Sequence, residues 1–66
     1  MKIPQIKVFQ EINSINLIEH RMNEFVEQNK EDIIKINAVT TNTITRGATT
    51  TIVYTGSIVY LKELED

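Results

Sequence analysis

The sequence predicts an α+β fold with the element order β-α-β-β, in which one helix packs on one face of a three-stranded sheet. Residues 5–9, "QIKVF", alternate between polar and apolar side chains, as a half-buried strand does. Residues 15–26 place apolar side chains three and four positions apart, which is the spacing of an amphipathic helix. Two runs rich in β-branched residues follow, separated by one arginine and one glycine, and this pattern is typical of a long β-hairpin.

The first strand is predicted at residues 5–9, with Pro4 at its start, where a missing N–H group does least harm. The helix is predicted to begin after Asn13 and Ser14, which are favourable N-cap residues, and to end near Asn29 after about four turns. Its apolar stripe consists of Ile15, Ile18, Met22 and Phe25, widened by Val26.

The hairpin is predicted from residues 32–45 and 48–62, with Arg46 and Gly47 between the two strands. Each arm could reach on the order of 40 Å, which is long for so small a domain. Gly56 marks either a bulge or a close approach by the helix. A right-handed β-α-β crossover would make the first strand run parallel to the second.

Strand alternation assigns the hairpin residues to two faces, and one helix can cover only one of them. On the last strand, the covered face is predicted to hold Ile52, Tyr54, Gly56, Ile58 and Tyr60. On the middle strand, it is predicted to hold Ile34, Ile36, Ala38, Thr40, Asn42 and Ile44. The other face would carry Val39, Val53, Val59 and Leu61 among threonines. That face is too apolar to be wholly solvated, and its long open edges favour pairing with another chain.

Length and composition predict a single domain, residues 1–66, with a small core. A chain of this size buries only about 60% of the surface that its unfolded form exposes. Such domains are usually stabilised by disulfides, a metal or oligomerisation. The sequence has no cysteine and one histidine, so disulfides and thiolate metal sites are excluded. We therefore predict a homo-oligomer without a metal or a cofactor.

Charge and hydropathy exclude two classes of partner. The formal net charge is −2 with acidic and basic residues interspersed, whereas a non-specific nucleic-acid binder needs a basic stripe. No run of 18 apolar residues is present, and the N-terminus "MKIPQIKVFQ" lacks the apolar core of a signal peptide. The prediction is a cytoplasmic protein that binds neither a nucleic-acid polymer nor a membrane.

Candidate catalytic groups are few. His20 lies on the predicted helix with Glu24 one turn later, and a histidine–carboxylate pair can serve as a general base. The favoured interpretation is an exposed i,i+4 pair that only supports the helix. The threonines have no candidate base, and no phosphate-cradling glycine motif is present. We predict that the protein is not an enzyme.

The hairpin tip is the candidate ligand site, since residues 40–56 contain eight threonines around Arg46. Arginine offers a bidentate fork for phosphate, and hydroxyl groups add neutral donors. The predicted ligand-binding residues are Arg46, Thr43, Thr45, Thr49, Thr51 and Tyr54. The alternative is that the threonines are ordinary solvent-facing strand residues and that Tyr54 and Tyr60 belong to the core.

Four segments resemble a family of short sporulation proteins made under sigma-E, the mother-cell sigma factor of endospore-forming bacteria. They are "IKVF" at 6–9, "NEFV" at 23–26, "IIKIN" at 33–37 and "YTGSIVYLK" at 54–62, and together they span most of the chain. The family also occurs in phages, and the resemblance implies a fold more than an activity. The element order is similar to that of dodecins as well, but no tryptophan is present to sandwich their flavin.

Two functions are compatible with these features. The first is a non-enzymatic oligomer, of a type used by phages, that sequesters a small anionic ligand such as a nucleotide signal. The alternative is a protein–protein interaction module, either associated with sporulation or a phage inhibitor of a host protein. Such a module would dock its partner on an open strand edge or on the outer helix face.

Overall fold

The computed structural model describes residues 1–64 and has the predicted α+β architecture. The elements are β1 (Lys2–Ile12), α1 (Ile15–Gln28), β2 (Ile33–Arg46) and β3 (Thr49–Glu63). They form one sheet in the order β1-β3-β2, and β3 is antiparallel to both neighbours. Strands β1 and β2 therefore run in the same direction, as a crossover requires, but β3 lies between them. Within this part of the chain, no helix is long and apolar enough to cross a membrane.

Strand β1 is longer than predicted, because its pairing with β3 continues from Lys2 opposite Glu63 to Ile12 opposite Val53. Pro4 lies inside this strand instead of at its start. The proline is tolerated there because β1 is an edge strand, so that only one of its sides has to supply hydrogen bonds to the sheet.

Helix α1 begins and ends where the sequence predicts. At its start, the hydroxyl oxygen of Ser14 accepts a hydrogen bond from the Leu17 N–H group at 3.2 Å. At its end, Asn29 donates to the Phe25 carbonyl oxygen from its backbone N–H at 3.1 Å and from its side-chain amide at 2.9 Å. Both caps satisfy backbone groups that have no partner inside the helix.

The core lies between α1 and the two strands beneath it, β1 and β3. It consists of four buried side chains: Phe9, Ile18, Met22 and Ile58. Partly buried residues surround it, namely Phe25, Val26, Ile33, Val39, Tyr54 and Tyr60. The ring of Phe25 packs edge-on against Phe9 and Tyr60, with centroid distances of 5.7 Å and 5.0 Å. Ile15, the first residue of the predicted stripe, is exposed, since a residue at a helix end has neighbours on one side only.

Gly56 marks a close approach by the helix, which is one of the two alternatives that its position predicts. A Cβ atom built on Gly56 would lie 2.4 Å from the sulfur of Met22 and 2.8 Å from its terminal methyl carbon. The bulge of the hairpin lies on β2 instead, where the register with β3 shifts between Asn37 and Thr40. Another shift lies between Ile33 and Lys35.

Because of these register shifts, the predicted assignment of the β2 side chains to the two faces is partly wrong. One extra residue moves every later side chain of the strand to the other face. Val39, predicted on the open side, packs against the core. Thr40, Asn42 and Ile44, predicted under the helix, pair with Thr55, Val53 and Thr51 on the opposite side. The predicted covered face of β3 is correct, because Gly56 and Ile58 are buried beneath α1.

The hairpin turns at Gly47 and Ala48, one residue later than predicted, and Arg46 is the last residue of β2, paired with Thr49. Gly47 has a φ of +60°. A two-residue hairpin turn requires a positive φ at its first central residue, which glycine adopts without a steric cost.

Asn13 ties the end of β1 to the hairpin. Its backbone N–H donates to the Ile52 carbonyl oxygen at 2.7 Å, and its side-chain oxygen accepts from the Ile52 N–H at 2.8 Å. Asn13 has a φ of +58°, a conformation that asparagine tolerates better than most residues. Beyond this point the hairpin continues as a two-stranded ribbon, because β1 has ended.

We expect Asn13→Ala to lower the free energy of unfolding by about 1–2 kcal/mol, because alanine loses the bond to Ile52 and is strained at a positive φ. Chemical denaturation followed by circular dichroism measures the change. Asn13→Gly is the matched control, since glycine removes the same bond without the backbone strain and should cost less. Equal stability of the alanine variant and the wild type would contradict this role.

Candidate functional site

Helix α1 leaves one face of the sheet uncovered. On β1 this face carries Ile6, Val8 and Ile12, which are 68%, 60% and 63% exposed. They alternate with Phe9, which is buried on the helix side, so they point away from the helix. We define the open face by the apolar residues on this side of β1 and β3. These are Pro4, Ile6, Val8, Ile12, Val53, Val59 and Leu61.

The open face has few charges. Between Pro4 and Ile12, its positions on β1 carry only uncharged side chains, and residues 36–61 contain one charged residue, Arg46. Lys35 lies at its margin, on the edge strand β2, paired with Val59. The centre of this face therefore carries no charged side chain, and the uncharged polar residues Gln10, Thr55 and Ser57 lie between its apolar ones.

A pocket lies on this face at the point where β1 ends. Strand β1 stops at Ile12, whereas β2 and β3 continue as far as Arg46 and Thr49. The resulting step in the sheet forms a pocket of about 260 Å³. Its lining consists of Ile12, Ile44, Arg46, Thr49, Thr51 and Val53. The pocket thus combines one cationic side chain and two hydroxyl groups with three aliphatic side chains.

The predicted ligand-binding residues divide between the two sides of the hairpin. Arg46, Thr49 and Thr51 line the pocket together. Thr43 and Thr45 pair with Ile52 and Thr50, which places both threonines on the helix side of the sheet. Tyr54 also lies on the helix side, where it packs against the core, as does Tyr60. Neither tyrosine ring is therefore available to stack on a ligand in the pocket.

The sequence pattern does not reveal the aliphatic wall of the pocket. Ile12 lies beyond the predicted end of β1 and far from the hairpin in the chain. Ile44 is assigned to the other face when strict alternation is assumed, because a bulge leaves no mark in a run of threonines and isoleucines. The alternation of apolar and polar residues ends at Val8 and Phe9, so the local pattern does not extend β1 as far as Ile12.

Arg46 makes no ion pair within residues 1–64. Arg21, by contrast, donates to a carboxylate oxygen of Glu11 at 2.7 Å and lies 5.7 Å from the centre of the Phe9 ring. A guanidinium group that is already paired with a carboxylate offers little to a second anion. The planar fork of donors of Arg46 is not engaged by a carboxylate within residues 1–64.

The candidate catalytic pair, His20 and Glu24, lies on the solvent side of α1. The His20 Nε2 atom is 3.5 Å from a carboxylate oxygen of Glu24, and both side chains are more than half exposed. This geometry matches an i,i+4 pair on a helix surface. In the described part of the chain, no group of three or more histidine, aspartate or glutamate side chains is placed to hold a metal ion.

Comparisons of the chain with family models, with curated proteins and with solved structures find no match. The resemblance to the sporulation family and the similarity to dodecins therefore stay predictions.

Proposed function

We propose that this chain is a non-enzymatic, homo-oligomeric protein of the cytoplasm that sequesters a small anionic ligand, such as a nucleotide signal. The observation that carries the proposal is the composition of the pocket beside Arg46. There, an arginine without an ion pair in residues 1–64 shares one pocket with two threonine hydroxyls and three aliphatic side chains.

The polar end of the pocket suits a phosphate or another anion. The guanidinium group of Arg46 can donate two parallel hydrogen bonds to one anionic group, and the hydroxyls of Thr49 and Thr51 can add neutral donors. The chain as a whole has a net charge of −2, but Arg46 is the only charged residue between positions 36 and 61. The hairpin is therefore locally positive in an acidic protein, which favours anions at this position.

The apolar end of the pocket suits the body of a nucleotide more than a bare inorganic anion. Ile12, Ile44 and Val53 offer aliphatic surface against which a flat base or a sugar can pack. The pocket volume of about 260 Å³ is slightly smaller than the roughly 300–1,000 Å³ of typical ligand sites. A ligand of nucleotide size would thus stay partly exposed on one chain, which supports the oligomeric part of the proposal.

Replacing Arg46 tests the proposal. We expect Arg46→Ala to weaken nucleotide binding at least about tenfold, because a hydrogen-bonded charge contributes about 1.5–3 kcal/mol. Native mass spectrometry of wild type purified without denaturation would first show the mass of any retained ligand. Titration calorimetry with AMP, GMP, their cyclic forms, cyclic dinucleotides and inorganic phosphate then compares the wild type with the variants.

Two further variants sharpen this experiment. Arg46→Lys keeps the charge but loses the bidentate fork, and its affinity should lie between those of wild type and Arg46→Ala. Lys62→Ala removes one positive charge near the other end of β3 and should bind like the wild type. If wild type binds none of these probes, or if Arg46→Ala binds as tightly as Lys62→Ala, the pocket is not a nucleotide site.

A specific observation also favours the second function, a protein–protein interaction module associated with sporulation or inhibiting a host protein. Among residues 1–64, strand β2 pairs with β3 alone, so its other edge is unpaired there over Ile33–Arg46. Residues 40–46 of this edge, "TTNTITR", contain no proline, no acidic residue and no register shift. Such an edge can accept a strand from a partner. Thr43→Pro would weaken capture of that partner without affecting nucleotide binding at Arg46.

A further inference from the structure

The chain places its small core on one side of the sheet only. The four buried residues, Phe9, Ile18, Met22 and Ile58, all belong to α1 or to the helix-facing side of β1 and β3. The open face on the other side holds seven apolar residues that no element in residues 1–64 covers. An apolar surface of this extent on so small a domain is a docking surface or an aggregation hazard.

The size of the open face meets the requirement of a specific interface. Strand β1 is 11 residues long, and β3 and β2 run alongside it. Three strands about 4.8 Å apart, rising about 3.3 Å per residue, present on the order of 500 Å². Two such faces together bury roughly 1,000 Å², which is the lower bound for a biological interface.

The chemistry of the open face favours a second copy over a charged partner. Its centre lacks charged side chains, and the charges on its three-stranded part lie at the margins, with Lys35 on the edge strand and Lys2 opposite Glu63 at one end of β1. Charged groups at a margin can stay in water. A face without charges at its centre is compatible with itself, as a two-fold interface requires, since the same residues meet from both sides.

We infer that a second copy of this chain packs its open face against the open face of the first, with the two helices on the outside of a two-sheet sandwich. Sheets packed in this way lie about 10 Å apart and interdigitate their apolar side chains. The pocket beside Arg46 opens on the same side but lies at the end of the three-stranded part, toward the hairpin tip. This inference rests on the oligomeric part of the proposed function and not on the ligand.

The test is the mass of the protein in solution. We expect the wild type to sediment as a dimer or a multiple of dimers at micromolar concentration in analytical ultracentrifugation. Val8→Glu should sediment as a folded monomer, since Val8 is exposed in the single chain but a buried glutamate would lack a partner in the interface. Leu17→Glu, at an exposed apolar residue on the helix, is the matched control and should keep the wild-type mass.

A measurement without substitutions guards against a variant that fails to fold. In the wild type, the methyl groups of Ile6, Val8 and Ile12 should be protected from a soluble paramagnetic probe in NMR spectra, although the single chain exposes them. The methyl groups of Leu17 should relax strongly. Equal relaxation at both places would overturn the inference, and so would a monomeric wild type.

The remaining outcomes separate this inference from the ligand proposal. Dissociation by Ile36→Glu but not by Val8→Glu would move the interface to β2 and overturn the inference. Titration calorimetry on the same samples measures whether they bind the nucleotide probes. A wild-type oligomer that Val8→Glu dissociates, but that binds no nucleotide probe, would support this interface while contradicting the ligand.

Discussion

Ile58→Ala is expected to lower the free energy of unfolding by about 2–5 kcal/mol, whereas Ile36→Ala should cost less than about 1 kcal/mol. The two isoleucines are cross-strand partners on the same side of the sheet. Ile58 is nevertheless 0% exposed, while Ile36 is 53% exposed. The difference arises because α1 packs over β1 and β3 and hardly reaches β2. The first substitution leaves a cavity, and the second removes a side chain that is already half solvated.

Denaturant unfolding at one fixed protein concentration measures both changes, since the stability of an oligomer depends on concentration. A domain of this length is expected to have a stability of roughly 3–10 kcal/mol, so the loss at Ile58 is a large part of the total. Equal losses at the two positions would show that β2 is covered as completely as β3. That result would contradict the placement of the helix.

Gly56→Val is expected to destabilise the protein by about 1–3 kcal/mol, because the new side chain would overlap Met22. A Cβ atom at Gly56 lies 2.4 Å from the Met22 sulfur even before the valine methyl groups are added. Methionine is flexible, but Met22 is buried, and close-packed protein interiors leave few voids into which a side chain can move. The same denaturant unfolding experiment gives the value.

A second substitution identifies the cause. Met22→Ala alone should cost about 2–5 kcal/mol through the cavity that it leaves. The double variant, Gly56→Val with Met22→Ala, should lose less than the sum of the single losses, since the valine fills part of that cavity. Strict additivity of the two losses would mean that the side chains do not meet, and the close approach of helix and strand would be wrong.

The helix and the covered side of β3 could be predicted because their signals are local. Ser14 caps the helix start through a bond to a residue three positions later, and Asn29 caps its end through a bond to a residue four positions earlier. The alternation of Ile52, Tyr54, Gly56 and Ile58 continues without interruption through β3. Gly56 predicts either a bulge or a close approach by the helix, and the position of Met22 shows that the close approach is correct.

The faces of β2 and the full length of β1 could not be predicted in this way. Val39 and Ile44 exchange faces because of the register shift between Asn37 and Thr40, and the sequence around them is compatible with either face. Strand β1 reaches Ile12 because β3 is long enough to pair with it throughout. These features depend on pairings between strands, such as Thr40 with Thr55 and Ile12 with Val53, which no local pattern reports.

The residues of the candidate site could likewise be predicted from the sequence only in part. That Arg46 and several threonines meet at a hairpin tip follows from the chain alone, because a turn joins two strands that are neighbours in sequence. Which threonines join Arg46 depends on the three-dimensional pairing. The register places Thr49 and Thr51 beside it and turns Thr43 and Thr45 to the other side, and the end of β1 supplies Ile12 as a wall. The physical reason is that side-chain direction alternates along a strand, so a bulge and a strand end, both set by long-range packing, select the residues that meet.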